Sequence, residues 1–181
     1  MAIEIVLAYI LDLIFGDPRW FPHPVKGIGW LIKKLEPVLR KVFRSERLGG
    51  IILAVSVISI SWYFSFIIIK TASSINIYAG FLASIFIIYS SLAAKDLDVE
   101  STEVYHSLEK KDIISARKKL SLIVGRDTDN LEHREVVRAT VETVSENIVD
   151  GVISPLFYAF IGGAPLALAY KAVNTLDSMV G

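Results

Sequence analysis

A chain of 181 residues is long enough for one sizeable domain, and 53% hydrophobic residues with a mean hydropathy of +0.52 are high for a water-soluble protein and point to a membrane. Nineteen basic and nineteen acidic residues cancel, so no basic field argues for nucleic acid as a partner. The absence of cysteine excludes a disulfide framework, a thiolate nucleophile and Cys-ligated zinc or iron–sulfur centres.

In chain order, residues 3–15 form a short apolar run that carries Glu4 and Asp12, which fits a short span or an interfacial helix. An acid at mid-bilayer costs about 2.5–3.5 kcal/mol, so both carboxylates are expected to face protein or water. These acids, and the lack of a basic n-region, argue against a cleaved signal peptide. "GDPRWFPHPVKGIG" follows as a stiff loop within residues 16–48, with Pro18, Pro22 and Pro24 restricting the chain and Gly16, Gly27 and Gly29 permitting close approach. Asp17, Arg19, His23 and Lys26 all sit on it. No G-x-x-x-x-G-K-[ST] occurs, so this is not a P-loop; an interfacial turn with Trp20 and Trp30 at headgroup level is the plainer alternative.

Residues 49–69 and 75–94 are uncharged and long enough to cross about 30 Å of hydrocarbon, which predicts a tight transmembrane hairpin. Residues 16–48 hold eight basic residues and residues 95–150 hold nine, whereas the turn at 71–74 has none. Lys and Arg near span ends are retained on the cytoplasmic side, so both polar stretches are expected there. The insert, 95–150, reads as helices: a polar one in "DVESTEVYHSLEKKD" and one in "IISARKKLSLIVG" with Gly125 as its stop. Asp129 followed by Glu132 resembles a capping arrangement for a third. In "GRDTDN", Arg126 is placed to meet an anion, while Asp127 and Asp129 are equally suited to capping.

Along the third helix, Val137, Val141, Val144 and Ile148 form one stripe, expected to pack. Steps of four from Arg134 give Arg138, Glu142, Glu146 and Asp150 on another side. Two charges about 6 Å apart repel by ~0.7 kcal/mol in water and by ~2.8 kcal/mol at an effective dielectric near 20. A solvated face carries such a ladder without difficulty; at a low-dielectric boundary it needs a cation. Mg²⁺ held by one or two carboxylates, with waters and substrate phosphates completing its shell, suits Glu142, Glu146 and Asp150, beside which Asn147 adds a neutral oxygen. His23, His106 and His133 lack zinc-site spacing.

Residues 151–170 are again uncharged, broken by Pro155, Gly162, Gly163 and Pro165, and predict a broken span; Lys171, Asn174 and Asp177 follow one turn apart. The fold class expected is all-α: a polytopic integral membrane protein, one domain over 1–181, with a helical insert and a Gly/Pro-broken apolar segment.

"GDPRWFPHPVKGIGWLI", "GRDTDNL" and "RATVETVSENIVDGVISPLFYAFIGGAPLALAYKAVNTLDSMVG" together resemble the adenosylcobinamide-phosphate synthase family of cobalamin biosynthesis, from the first residues to the last. The resemblance implies a multi-pass protein of the cell (cytoplasmic) membrane, longer than this chain. It implies an ATP-dependent amide ligation of adenosylcobyric acid, a corrinoid, with aminopropanol or its phosphate, and other late cobalamin-pathway enzymes as partners. On that reading Glu142, Glu146, Asp150 and Asn147 are the catalytic candidates, the three acids holding Mg²⁺. His23, Lys26, Arg126, Asp127, Lys171, Asn174 and Asp177 are candidates for substrate or phosphate binding. A transporter or channel would use a broken helix and membrane-embedded acids as naturally, and a regulatory membrane protein is a third class.

Overall fold

The computed structural model describes residues 1–17 and 23–180; Pro18, Arg19, Trp20 and Pro22, named above for the first loop, lie outside them. Eight α-helices and one π turn account for most of the described residues, which contain no strand: α1 (Ala2–Phe15), α2 (Pro24–Val42), α3 (Glu46–Ile75), α4 (Ile77–Tyr89), α5 (Ala94–Glu109), α6 (Ile113–Leu120), α7 (His133–Ile148), the π turn Val149–Ile153 and α8 (Ser154–Val180). The chain is all-α, as its sequence predicts. Three stretches, Glu46–Ile75, Ile77–Glu109 and His133–Val180, are long and apolar enough to cross a membrane, which makes this a membrane protein.

The bundle is built on α3, which packs on α2, α4 and α8. Its buried residues Gly49, Leu53, Val57, Ser61 and Ser65 recur every fourth position, while Ile51, Val55, Trp62 and Phe64 point outward. Small residues inside and large apolar ones outside are what close packing in lipid requires, because lipid leaves no hydrophobic incentive to bury the large ones. The Ser61 and Ser65 hydroxyls are satisfied along the helix by the Val57 and Trp62 carbonyls, each at 2.8 Å. Asn76 alone separates α3 from α4, and its side chain accepts from Tyr78 N–H at 2.8 Å to cap the return helix.

The first loop is shorter than expected. From Pro24 onward the chain is helical, since proline is compatible with a first turn and Ile28, Leu31, Ile32, Leu35 and Leu39 recur at helical spacing to pack on the bundle. Lys26 therefore sits in the first turn of a helix.

The insert has its own small core of Val104, Ala116, Leu120, Val136 and Ala139, contributed by α5, α6 and α7. Three details differ from expectation. Helix α6 ends at Leu120 rather than near Gly125, and α7 is capped by Glu132, whose backbone N–H donates to Glu135 Oε2 at 2.7 Å in a reciprocal box. Most of the valine stripe does not pack: Val137, Val141 and Ile148 are 41%, 61% and 40% exposed, and Val144 alone of the four is half-buried. Periodicity identifies an apolar face, but the partners choose which face is covered, and α5 and α6 meet α7 through Val136 and Ala139.

Residues 151–170 are not one straight span. Non-helical Gly162 (φ −141°) and Gly163 (φ 68°, ψ −163°) divide α8 into two arms, and Tyr158 in the first stacks on Tyr170 in the second with ring centroids 5.0 Å apart. Gly163 occupies backbone space open in practice only to glycine. Gly163→Ala is expected to destabilise the protein by about 1–3 kcal/mol. The cost is conformational, since Pro165 Cδ lies at an ordinary 3.7 Å from an added Cβ. Unchanged thermal unfolding of the detergent-purified variant would contradict this.

Candidate functional site

Where the bundle meets the insert, α1 and α5 cap each other across some eighty residues of sequence. Asp12, 1% exposed, accepts through Oδ2 from Ala94 N–H at 2.8 Å, at the start of α5. Lys95 Nζ donates back to the Ile14 carbonyl at the end of α1, and Tyr89 O–H to the Gly16 carbonyl. Asp17 N–H then donates to Asp96 Oδ1 at 3.2 Å. A carboxylate thus meets the positive end of α5 and an ammonium the negative end of α1, the favourable sign in both cases. Gly16 turns with φ 61°, and a Cβ there would come within 2.8 Å of Asp96 Oδ1, so this junction accepts only glycine without movement.

Lys171, from the second arm of α8, is within electrostatic reach of Asp12, Asp17 and Asp96. His23 completes the group: its Nε2 lies 3.5 Å from Asp17 Oδ2, and its Nδ1 accepts from Val25 N–H at 3.3 Å to cap α2. That cap requires the imidazole neutral with its proton on Nε2. Burial pushes His23 below its ordinary value of 6.5, with Lys171 and Lys26 acting the same way, against the Asp17 and Asp96 carboxylates. The unfolded chain consequently binds the proton more readily than the folded one. Stability from this group is full above about pH 6.5 and is lost as pH falls through the lowered folded value. His23→Asn, which keeps a capping acceptor, is expected to flatten the decline of melting temperature between pH 7.5 and 5. An unaltered slope would assign that decline elsewhere.

A second constellation adjoins the first. Tyr170 O–H donates to Asp150 Oδ1 at 3.1 Å, and Ser154 is also within hydrogen-bond reach of Tyr170. Asp150 stands in the π turn, a feature frequent at functional positions because it re-aims side chains. It is half-buried, whereas Glu142, Glu146 and Asn147 are exposed on α7. Glu142 pairs with Arg126 Nη2 at 3.3 Å, so the 125–130 turn and the ladder do meet. Asp127 accepts from Asp129 N–H at 2.9 Å, a turn-forming role.

The sequence candidates therefore fall into three places. Lys171, His23 and Lys26 gather at the α1–α5 junction; Glu142, Arg126, Glu146 and Asn147 lie on the outer insert; Asp150 stands between them beside Tyr170. Asp177 is apart from Lys171, in a cleft of about 590 Å³ between α2, α3 and α8 lined by Leu39, Arg44, Leu53 and Leu176. Asn174 is half-buried between the two. Asp12, Asp96, Tyr89 and Tyr170 were not among the site candidates. Asp12 carried the one legible signal, an acid inside an apolar run; Asp96 and the tyrosines depend on tertiary contacts that no spacing encodes.

Among the described residues no three of His, Asp and Glu are close enough to hold a metal ion by themselves. The open carboxylates of Glu142 and Glu146 fit the other mode, a hard cation taking one or two carboxylates and completing its shell with water and nucleotide phosphate.

No solved structure matches this chain. The chain is 50% identical over 183 residues to the cobalamin biosynthesis protein CobD of Clostridium tetani, covering 99% of this chain and 57% of that protein. It is 50% identical over 177 residues to CobD of Geobacter metallireducens (98% and 56% covered) and 45% identical over 178 residues to the cobalamin biosynthesis protein CbiB of Salmonella typhimurium (97% and 56% covered). It spans a little over half the length of these relatives. With the CobD/CbiB family model matching residues 5–181, the chain belongs to the CobD/CbiB protein family.

Proposed function

We propose that this chain acts in cobalamin biosynthesis, as part of a membrane ligase that uses ATP to join a carboxylate of adenosylcobyric acid to the amine of aminopropanol or aminopropanol phosphate. Family membership over nearly the whole chain supports the pathway. The observation that carries the chemistry is the meeting of an ammonium and carboxylates at the bundle–insert junction, where Lys171 stands within reach of Asp12, Asp17 and Asp96, with the neutral imidazole of His23 beside Asp17. Activating a carboxylate with ATP moves a phosphoryl group, and that transfer needs positioned positive charge more than covalent help from the protein. Lys171, Lys26 and Arg126 supply cations for phosphate and carboxylate oxygens. The carboxylates orient the ammonium of the amine, and one of them takes its proton before it attacks the activated carbonyl. Glu142 and Glu146 would hold Mg²⁺, which neutralises nucleotide phosphates when bound. Residues 16–48 and 95–150 face the cytoplasm of the cell membrane on this reading, because they carry seventeen of the nineteen basic residues.

Assayed in full-length context in detergent, the protein is expected to consume ATP only when corrinoid and amine are both present, and to form the corresponding amide by mass. ATP consumption indifferent to the corrinoid would end the ligase reading. Solute movement across sealed vesicles with no amide formed would favour a transporter.

A further inference from the structure

Both ends of α8 lie at the same end of the bundle. Helix α4 leads through a four-residue turn into α5, the first helix of the insert, so the start of α5 marks the insert's end of the bundle. The first arm of α8 begins there, tied by Ala93 N–H donating to the Gly151 carbonyl at 3.0 Å. The second arm comes back to the same place, with Lys171 within electrostatic reach of Asp96 at the start of α5, and its last turns run on toward the start of α3, where Asp177 and Val180 line one cleft with Arg44, Ser45 and Glu46.

The middle of α8 agrees. On a straight helix Asp150 and Tyr170 would be about 30 Å apart, and Tyr158 and Tyr170 about 18 Å. Instead the first pair shares a hydrogen bond of 3.1 Å and the second pair stacks. The first arm, Ser154–Ile161, reaches only about 12 Å, less than half of the roughly 30 Å hydrocarbon thickness. Irregular backbone at that depth is tolerated when protein covers it, and Ala159 and Ala164 on either side of the glycines are fully buried. Phe157, Phe160 and Ile161 on the first arm point outward.

We infer that α8 is a re-entrant hairpin that enters and leaves the membrane on the insert's side, so that Lys171, Asn174 and Asp177 open to the same aqueous phase as Glu142 and Glu146. Length and apolarity alone make 151–170 a span; the reversal at Gly162–Gly163 removes it. All charged ligands then reach the site from one face and none crosses the bilayer. That consequence rests on the proposed ligase reading, whereas the hairpin does not.

The chain has no cysteine, so single-cysteine variants report without background. In sealed membrane vesicles of one orientation, an impermeant maleimide is expected to label Ser178→Cys together with Ser45→Cys, and Ser74→Cys at the α3–α4 tip only from the opposite side. Ser178→Cys labelling with Ser74→Cys would overturn the hairpin. As a second measurement, the double variant Tyr158→Cys/Tyr170→Cys should form a disulfide within one chain on mild oxidation, seen by mass spectrometry of the bridged peptide. Two α-carbons about 18 Å apart are far beyond the roughly 7 Å limit for a disulfide, so recovery of free thiols alone would also overturn it. Neither readout involves turnover; a failed ligase assay leaves the hairpin standing, and misplaced labelling leaves the ligase reading standing.

Discussion

Lys171→Met is expected to lower the unfolding free energy by about 2–3 kcal/mol, between the small worth of exposed ion pairs and the 3–5 kcal/mol cost of orphaning a buried charge. The cause is the company it keeps. Asp12, Asp17 and Asp96 all act on one half-buried ammonium, and its removal leaves three carboxylates without that cation at the edge of an apolar bundle. Asp12→Asn in the same chain should recover part of the loss, because the amide oxygen still accepts from Ala94 N–H while one negative charge disappears. A double-mutant cycle in detergent measures this as a coupling energy. Strict additivity of the two changes would mean that Lys171 acts independently of Asp12, and the junction would then be three separate contacts rather than one electrostatic unit.

Glu146→Gln is expected to lower ligase activity at least tenfold, about 1.4 kcal/mol in transition-state terms, with folding and membrane yield unchanged. Glu146 is exposed and makes no ion pair among the described residues, so its charge is available to a cation and its loss costs the fold nothing. Glu142→Gln should behave differently. It also breaks the pair with Arg126, and part of its effect should appear as a raised KM for ATP if that arginine serves the nucleotide. The measurement is initial rate against Mg²⁺ concentration in full-length context. Wild-type rates and Mg²⁺ dependence in both variants would make the ladder a solvated face and leave the α1–α5 junction as the place where chemistry occurs.

The sequence made the helical character, the hairpin of α3 and α4 and the three-helix insert legible, because each depends on local apolar periodicity and on length. What escaped it was set by partners. The valine stripe of α7 is as periodic as Val136 and Ala139, yet α5 and α6 cover the latter. The break in α8 was legible from Gly162, Gly163 and Pro165, but its angle was not, since a glycine pair permits a kink or a reversal equally well. At the site, His23, Lys26 and Lys171 were readable as polar groups near span ends. Their grouping with Asp12 and Asp96 was not, for it joins residues 12, 23, 96 and 171 across three helices and the loop that precedes α2.

The mutual capping of α1 and α5 also bears on the order in which the chain is made. Helix α1 is synthesised before the other helices described, is only about 21 Å long, and carries Asp12 on the face that ends up buried. Its partners for Asp12, Ile14 and Gly16 are Ala94, Lys95 and Tyr89, so nothing can neutralise its end until some ninety residues have left the ribosome. The α3–α4 hairpin, uncharged and self-complementary, has no such dependence. Biogenesis should therefore run out of sequence order, with the hairpin integrating first and α1 docking late. Ribosome-bound chains paused before residue 89 should leave a cysteine at position 8, fully buried in the finished protein, open to thiol reagents, and chains released beyond residue 100 should close it.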